Sequence, residues 1–180
     1  MLIGGDYIKA DYIFRVNFEH ILAALTPENR LALEVSLSTG LRVGDVLALR
    51  TSMLEKERFT IKEEKTGKTR RIRLPRELRD ELFAIAGRYY VFEGRLSPKK
   101  HRTRQAVYKD LKRASQLLRV KNSQISPHTA RKIYAVESLG KYGSLSKVKE
   151  LLNHSSEAVT AIYAMADVMT ARRLKGKKSL

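Results

Sequence analysis

The chain has 180 residues, 43% of them hydrophobic, which is enough to fill the core of one good-sized domain and excludes a disordered polybasic tail. Thirty-six Lys and Arg face 19 Asp and Glu, a formal net charge of +17, so the expected partner is a polyanion: DNA or RNA first, an anionic membrane surface second. The absence of Cys excludes a disulfide framework and any thiolate metal site, and the four His fall in no tight ligand pattern.

The N-terminus, Met1-Leu2-Ile3-Gly4-Gly5-Asp6, has no basic region followed by an apolar run, so no signal peptide is expected. Residues 1–16 are mixed and read as an extension or linker remnant. A helical pattern runs from Phe18 to Leu25. Thr26-Pro27-Glu28 then reads as an N-cap with Pro at the first helical position, and Leu31, Val35 and Ser38 continue one face of that helix. Gly40 closes it, because Gly best adopts the left-handed conformation that ends a helix. A further helical run is expected from Val43 to Arg50. The apolar stretch from Leu31 to Leu49 is broken by Glu34, Arg42 and Asp45, so it does not read as a membrane span.

Phe59 and Ile61 alternate with Thr60 and Lys62, Thr66-Gly67 signals a turn, and Ile72 and Leu74 alternate on the return: a β-hairpin with a basic tip, stopped by Pro75. Helix resumes from about Arg76 to Ala86. Residues 87–100 read as loop with a short strand at Tyr90-Val91-Phe92. A basic helix from about Thr103 to Leu118 carries Val107, Leu111, Ala114 and Leu118 at helical spacing. Residues 95–121 hold ten Lys or Arg and one acid, Asp110, which suits contacts to phosphates. Ser126-Pro127 starts another helix, and shorter ones are expected from Ser146 to Leu152 and from Glu157 to Ala166. The basic tail, residues 171–180, completes the chain. The expected fold is mainly α with a small antiparallel β-sheet, the single domain spanning residues 17–170.

Six residues carry candidate chemistry, and each has an ordinary alternative. His128 and Arg131 lie three apart on one helix face, in its first turns, where free N–H groups and the helix dipole favour an anion. Alone, they read as a solvated surface pair. Arg42 sits between two helices and suits a structural pairing with Asp45, which would hold its guanidinium in place. Lys65, at the hairpin tip, suits an ordinary turn. His154 precedes a cap at Ser155 or Ser156, and Tyr163 lies about two and a half helical turns further on. A lone Tyr among eight is ordinarily a packing residue.

The ordered set is more telling than its members. Thr39-Gly40-Leu41-Arg42-Val43-Gly44-Asp45-Val46-Leu47-Ala48-Leu49 resembles the first arginine box of tyrosine recombinases of the phage integrase family, XerC and XerD among them. Lys65-Thr66-Gly67-Lys68-Thr69-Arg70 is similar to their hairpin lysine region, and Pro127-His128-Thr129-Ala130-Arg131 to their His-x-x-Arg box. Leu151-Leu152-Asn153-His154, with Tyr163 at the usual interval, resembles the final box. The similarity runs from about Leu25 to Ala166. Asn153 stands where the family commonly has Gly, and Asn is the next-best residue for a left-handed helix end. Lys132 replaces a frequent second His, and Thr129-Ala130 the commoner Asp-Leu.

The resemblance implies the tyrosine recombinase catalytic-domain fold and a cytoplasmic, DNA-associated, site-specific recombinase for integration or excision. Tyr163 would attack the scissile phosphorus to give a 3′-phosphotyrosyl bond and a free 5′-hydroxyl. Arg42 and Arg131 would grip the non-bridging oxygens. Lys65 would protonate the leaving oxygen, His128 would accept or relay the tyrosine proton, and His154 would bond a phosphate oxygen. No metal and no cofactor are expected, since two guanidiniums neutralise the charge and the covalent link stores the bond energy. The implied partner is double-stranded DNA, bound by a homotetramer on paired sites and by a monomer in isolation. Full-length relatives usually carry a further helical DNA-binding domain ahead of this one, so the chain reads as a fragment or a minimal form. A type IB topoisomerase uses a similar residue set, and a non-catalytic DNA-binding regulator would keep the fold without the reaction.

Overall fold

The computed structural model describes residues 15–120 and 125–153. Helices and two small antiparallel hairpins alternate along the described residues. The elements in order are α1 (Arg15–Ala23), α2 (Pro27–Thr39), α3 (Val43–Leu47), a 3-10 turn at Thr51–Glu55, β1 (Arg58–Lys62), β2 (Thr69–Arg73) and α4 (Arg76–Ile85). β3 (Glu93–Gly94), β4 (Ser97–His101), α5 (Arg104–Leu117), α6 (His128–Tyr142) and α7 (Leu145–Leu151) follow. The expected helix from Glu157 to Ala166 and the basic tail lie outside the described residues. Among the described residues, no helix is long and apolar enough to cross a membrane.

α2 is the central helix. It touches α1, α3, α4, α5 and α6, and so buries Leu31, Ala32, Leu33, Val35, Ser36, Leu37 and Thr39 around most of its circumference. Each fully buried Leu or Val contributes about 1.5–3 kcal/mol. Ser38, expected on the inner face, is exposed, because so broad an apolar surface has no single stripe to extrapolate. Thr26 caps α2 by its extended backbone and not by its side chain. The hydroxyl goes instead to Asp110, 3.0 Å away on α5. α1 begins at Arg15, ahead of Phe18, and Arg15 bonds Glu19 one turn on and Glu137 on α6.

The β1–β2 hairpin is antiparallel, with Phe59 opposite Ile72 and Ile61 opposite Arg70. Two expectations fail on either side of it. α3 stops at Leu47 and does not reach Arg50. The backbone there is captured by tertiary pairing, as Val91 N–H donates to Leu49 O at 2.9 Å and Thr51 N–H to Tyr89 O at 3.2 Å. The strand expected at Tyr90–Phe92 is only a bridge between Tyr90 and Arg50, while the second hairpin falls later, at β3–β4. No apolar alternation marks β4, whose Ser-Pro-Lys-Lys-His run leaves no residue buried. On α5, Val107, Leu111 and Ala114 are buried as expected, but Leu118 lies beyond the last turn and is exposed.

Candidate active site

α2 ends at Gly40, whose φ of 68° is the left-handed conformation Gly adopts without strain. A Cβ there would also collide with the Tyr134 ring of α6. This close approach of α2 and α6 delivers Arg42 to the start of α3, in extended conformation. Arg42 Nη1 then donates to Glu63 Oε2 at 2.5 Å. The expected pairing with Asp45 is therefore corrected. Asp45 Oδ1 accepts from the Glu64 backbone N–H at 2.9 Å, which staples α3 to the hairpin, and Oδ2 has no hydrogen-bond partner among the described residues. Burial pushes the Asp45 carboxyl above the ordinary range, with the Glu64 hydrogen bond pulling the other way.

Glu63 follows Phe59 and Ile61 on the inward side of the hairpin and is wholly buried. Its backbone closes the loop: Glu63 N–H donates to Lys68 O at 2.9 Å and Gly67 N–H to Glu63 O at 2.8 Å. Lys65 stands exposed on that loop, and Gly67 supplies the positive φ of 65°. On the return strand Arg70 turns inward, donates to Thr39 O and lies 3.8 Å from Glu63 Oε1. Burial lowers the Arg70 pKa, partly opposed by Tyr134, Glu63 and Asp45.

α6 starts with a reciprocal cap. His128 N–H donates to Ser126 Oγ at 3.3 Å, and Ser126 N–H donates to Thr129 Oγ1 at 3.1 Å. Pro127 is the flanking residue, already helical at φ −56° and ψ −19°, so it sits one position before the first helical residue where it was expected. One turn in, Arg131 is only 2% exposed. Its Nη1 donates to Gly40 O at 2.6 Å and its Nη2 to Leu152 O at 2.7 Å, joining the ends of α2 and α7 across α6. Asn153 follows in the left-handed region at φ 55°, as expected for that position, and its Nδ2 donates to Glu63 Oε1 at 3.3 Å.

Four of the six candidate residues thus converge. His128 is exposed at the start of α6, yet the surrounding protein partly desolvates its ring, and Arg131, Arg42, Lys132 and Lys65 add positive charge; all of these lower its pKa from the ordinary 6.5. The direction of the shift favours the neutral imidazole, the form that can accept a proton. The described chain reaches Asn153, so His154 and Tyr163 lie outside the described residues. Glu63, Arg70 and Tyr134 are site residues that motif reading passed over. A cleft of about 430 Å³, lined by Asp45, Glu64, His101, Thr103 and Arg104 among others, lies beside α3 and includes none of the converging cations.

The depressed His128 pKa has a measurable sign. Its NMR titration midpoint in the free protein is expected below 6.5, and an anion bound beside Arg42 is expected to raise it. Protonation favours the unfolded chain, so this residue's contribution makes stability fall as pH drops below about 6.5. A midpoint at or above the ordinary value without an anion would contradict the arrangement.

Residues 14–169 match the family model described as the phage integrase family. The chain is 29% identical over 155 residues to tyrosine recombinase XerA of Pyrococcus furiosus, covering 82% of this chain and 52% of that one. It is 30% identical over 160 residues to tyrosine recombinase XerC of Mesorhizobium japonicum, covering 84% and 50%. The chain therefore spans about half the length of these curated relatives. Among solved structures, a lambda integrase dimer bound to a core site matches with a TM-score of 0.74 at 19% identity, covering 88% of this chain and 60% of that one. The catalytic domain of bacteriophage HP1 integrase matches at 0.64 and 20% identity, covering 87% and 88%. A lambda integrase tetramer bound to a Holliday junction matches at 0.68 and 19% identity, covering 91% and 50%. These likenesses give the chain the fold of an integrase catalytic domain.

Proposed function

As the chain belongs to the phage integrase family, we propose that it is a site-specific DNA recombinase that cuts and rejoins strands through a 3′-phosphotyrosyl intermediate. The observation that carries this reading is that Arg42, Lys65, His128 and Arg131, from three separate segments of the chain, lie within electrostatic reach of one another.

Tyr163 is the nucleophile. Its oxygen forms the bond to phosphorus while the bond to the 5′-oxygen breaks. Arg42, whose side chain keeps 18% exposure, meets the non-bridging oxygens as charge gathers on them. Arg131, buried beneath, adds its charge from a fixed position. His128 takes the phenolic proton. Lys65 donates a proton to the departing 5′-oxygen, and the exposed hairpin tip lets it reach a bound strand. His154 bonds a phosphate oxygen. Reversal by a 5′-hydroxyl from another strand completes the exchange without a cofactor.

The partner is double-stranded DNA, in keeping with the +17 charge. Exchange between two sites takes place in a tetramer, as in the lambda integrase tetramer on a Holliday junction. The catalytic unit is taken to begin at Arg15, where α1 starts, two residues ahead of the boundary expected at 17, and to run to about residue 170.

The test is a nicked suicide duplex carrying a candidate core site, incubated with the chain and a chelator. A detergent-stable protein–DNA adduct is expected, and Tyr163→Phe should abolish it. An adduct that survives this substitution, or none from the unaltered chain on its cognate site, would overturn the reading.

A further inference from the structure

We propose that Glu63 is a positioning residue for strand cleavage, acting through the Arg42 guanidinium and tying the Lys65 loop to Asn153, the neighbour of His154. The inference rests on the recombinase reading above. It begins from a costly feature. Glu63 is wholly buried, yet the inward positions before it on β1, Phe59 and Ile61, are apolar. Packing alone would be met by Val or Leu there, without desolvating a carboxylate.

Each oxygen of that carboxylate is engaged. Oε2 accepts from Arg42 Nη1 at 2.5 Å. Oε1 accepts from Asn153 Nδ2 at 3.3 Å and lies 3.8 Å from Arg70 Nη1. A guanidinium is a rigid planar fork, so holding one edge fixes where the other points. The held edge of Arg42 faces the buried Glu63, which leaves the side chain's partly exposed portion toward an incoming phosphate. Asp45, three residues on, does not fill this role: Oδ1 accepts from the Glu64 N–H, and Oδ2 has no hydrogen-bond partner among the described residues, so neither oxygen holds Arg42.

Charge balance supports the same role. Arg42, Arg70 and Arg131 come together on the protein side of the site, and without a buried anion they would repel. Arg42 would then be free to swing outward. Glu63 also belongs, through its backbone, to the loop that presents Lys65. One carboxylate therefore registers the general acid, a phosphate-binding Arg and the residue ahead of His154 against each other.

The test compares Glu63→Gln with the unaltered protein on the nicked suicide duplex, by single-turnover cleavage, DNA affinity and thermal melting. Cleavage is expected to slow by roughly ten- to a hundredfold, the scale of a small misplacement of a reacting partner. DNA affinity should stay within about twofold, since the basic surface supplies most of it. The penalty should shrink to within about threefold when one non-bridging oxygen of the scissile phosphate is replaced by methyl, because Arg42 then has less charge to meet. A merely structural ion pair would not respond to that change. If Glu63→Gln melts below the assay temperature, Glu63→Asp keeps the charge, withdraws it by one carbon, and should give the same pattern. Cleavage by either folded variant within about twofold of the unaltered protein overturns the inference, as does a penalty that the methylphosphonate leaves intact. No adduct from the unaltered protein overturns the recombinase reading first and this inference with it.

Discussion

Arg131→Met is expected to lower the unfolding free energy by about 3–5 kcal/mol, although methionine nearly matches the volume lost. The reason lies in what the guanidinium holds. Gly40 O and Leu152 O are buried acceptors, 2.6 and 2.7 Å from its two Nη atoms. A thioether donates to neither, and each unsatisfied buried carbonyl costs about 1–3 kcal/mol. Their release also frees the α2 end that sets Arg42 and the α7 end that leads to His154. Arg131→Lys should recover only part of the loss, since one ammonium cannot span both carbonyls as a planar fork does. Urea denaturation of the variants decides this; a change under about 1 kcal/mol for the Met variant would show that the two carbonyls find other donors.

The second large effect is expected far from the site. Asp110 accepts from Thr26 N at 2.9 Å, Thr26 Oγ1 at 3.0 Å and Asn29 Nδ2 at 2.8 Å, and from Arg113 Nη2 at 2.7 Å. Burial alone would raise its pKa, but the hydrogen bonds from Asn29, the Thr26 backbone, Arg113 and the Thr26 hydroxyl outweigh it and hold the pKa at about 2. A depressed carboxyl contributes stability above its unfolded pKa and loses it as pH falls through the folded one. Here that contribution, about 2 kcal/mol, is present above pH 4 and fades toward pH 2. Asp110→Ala should therefore cost about 3 kcal/mol at pH 7, the excess coming from the buried Asn29 amide left unpaired. At pH 2 the gap should narrow. Equal gaps at both pH values would show that Asp110 acts by packing and not by charge. This sole acid of residues 95–121 is occupied within the fold, so it does little to offset the exposed cations of α5.

Most of the architecture was legible because it rests on local signals. Thr26-Pro27, Gly40, Thr66-Gly67 and Ser126-Pro127 are stop and start residues whose backbone preferences need no tertiary contact. The end of α3 was not legible, because pairing between residues 49–51 and 89–91 overrides a helical pattern. The second hairpin was not legible because both faces of Ser97–His101 are open to solvent. In the site, the motif residues stood out by order and spacing. Glu63 and Arg70 did not, yet a signal existed: positions 59, 61, 63 and 70, 72, 74 keep a period of two, which turns both charges inward. A charged residue in phase with a buried strand face is itself evidence of a partner. The exchange of Asp45 for Glu63 as the Arg42 partner had no such signal, since it depends on how the folded hairpin sets residue 63 against the start of α3.

The two carbonyls that Arg131 holds also bear on how the protein is made. They belong to residues 40 and 152, ninety-one positions before it and twenty-one after it. When residues only up to 140 have emerged from the ribosome, the cation and the first acceptor can meet, while the second acceptor has not yet emerged. At that point α6 presents the cation, but α7 is not yet available to pack against it. Docking of α7 on α6 through Arg131 therefore waits until residue 152 is free to fold, after the cation and its first acceptor are already in place.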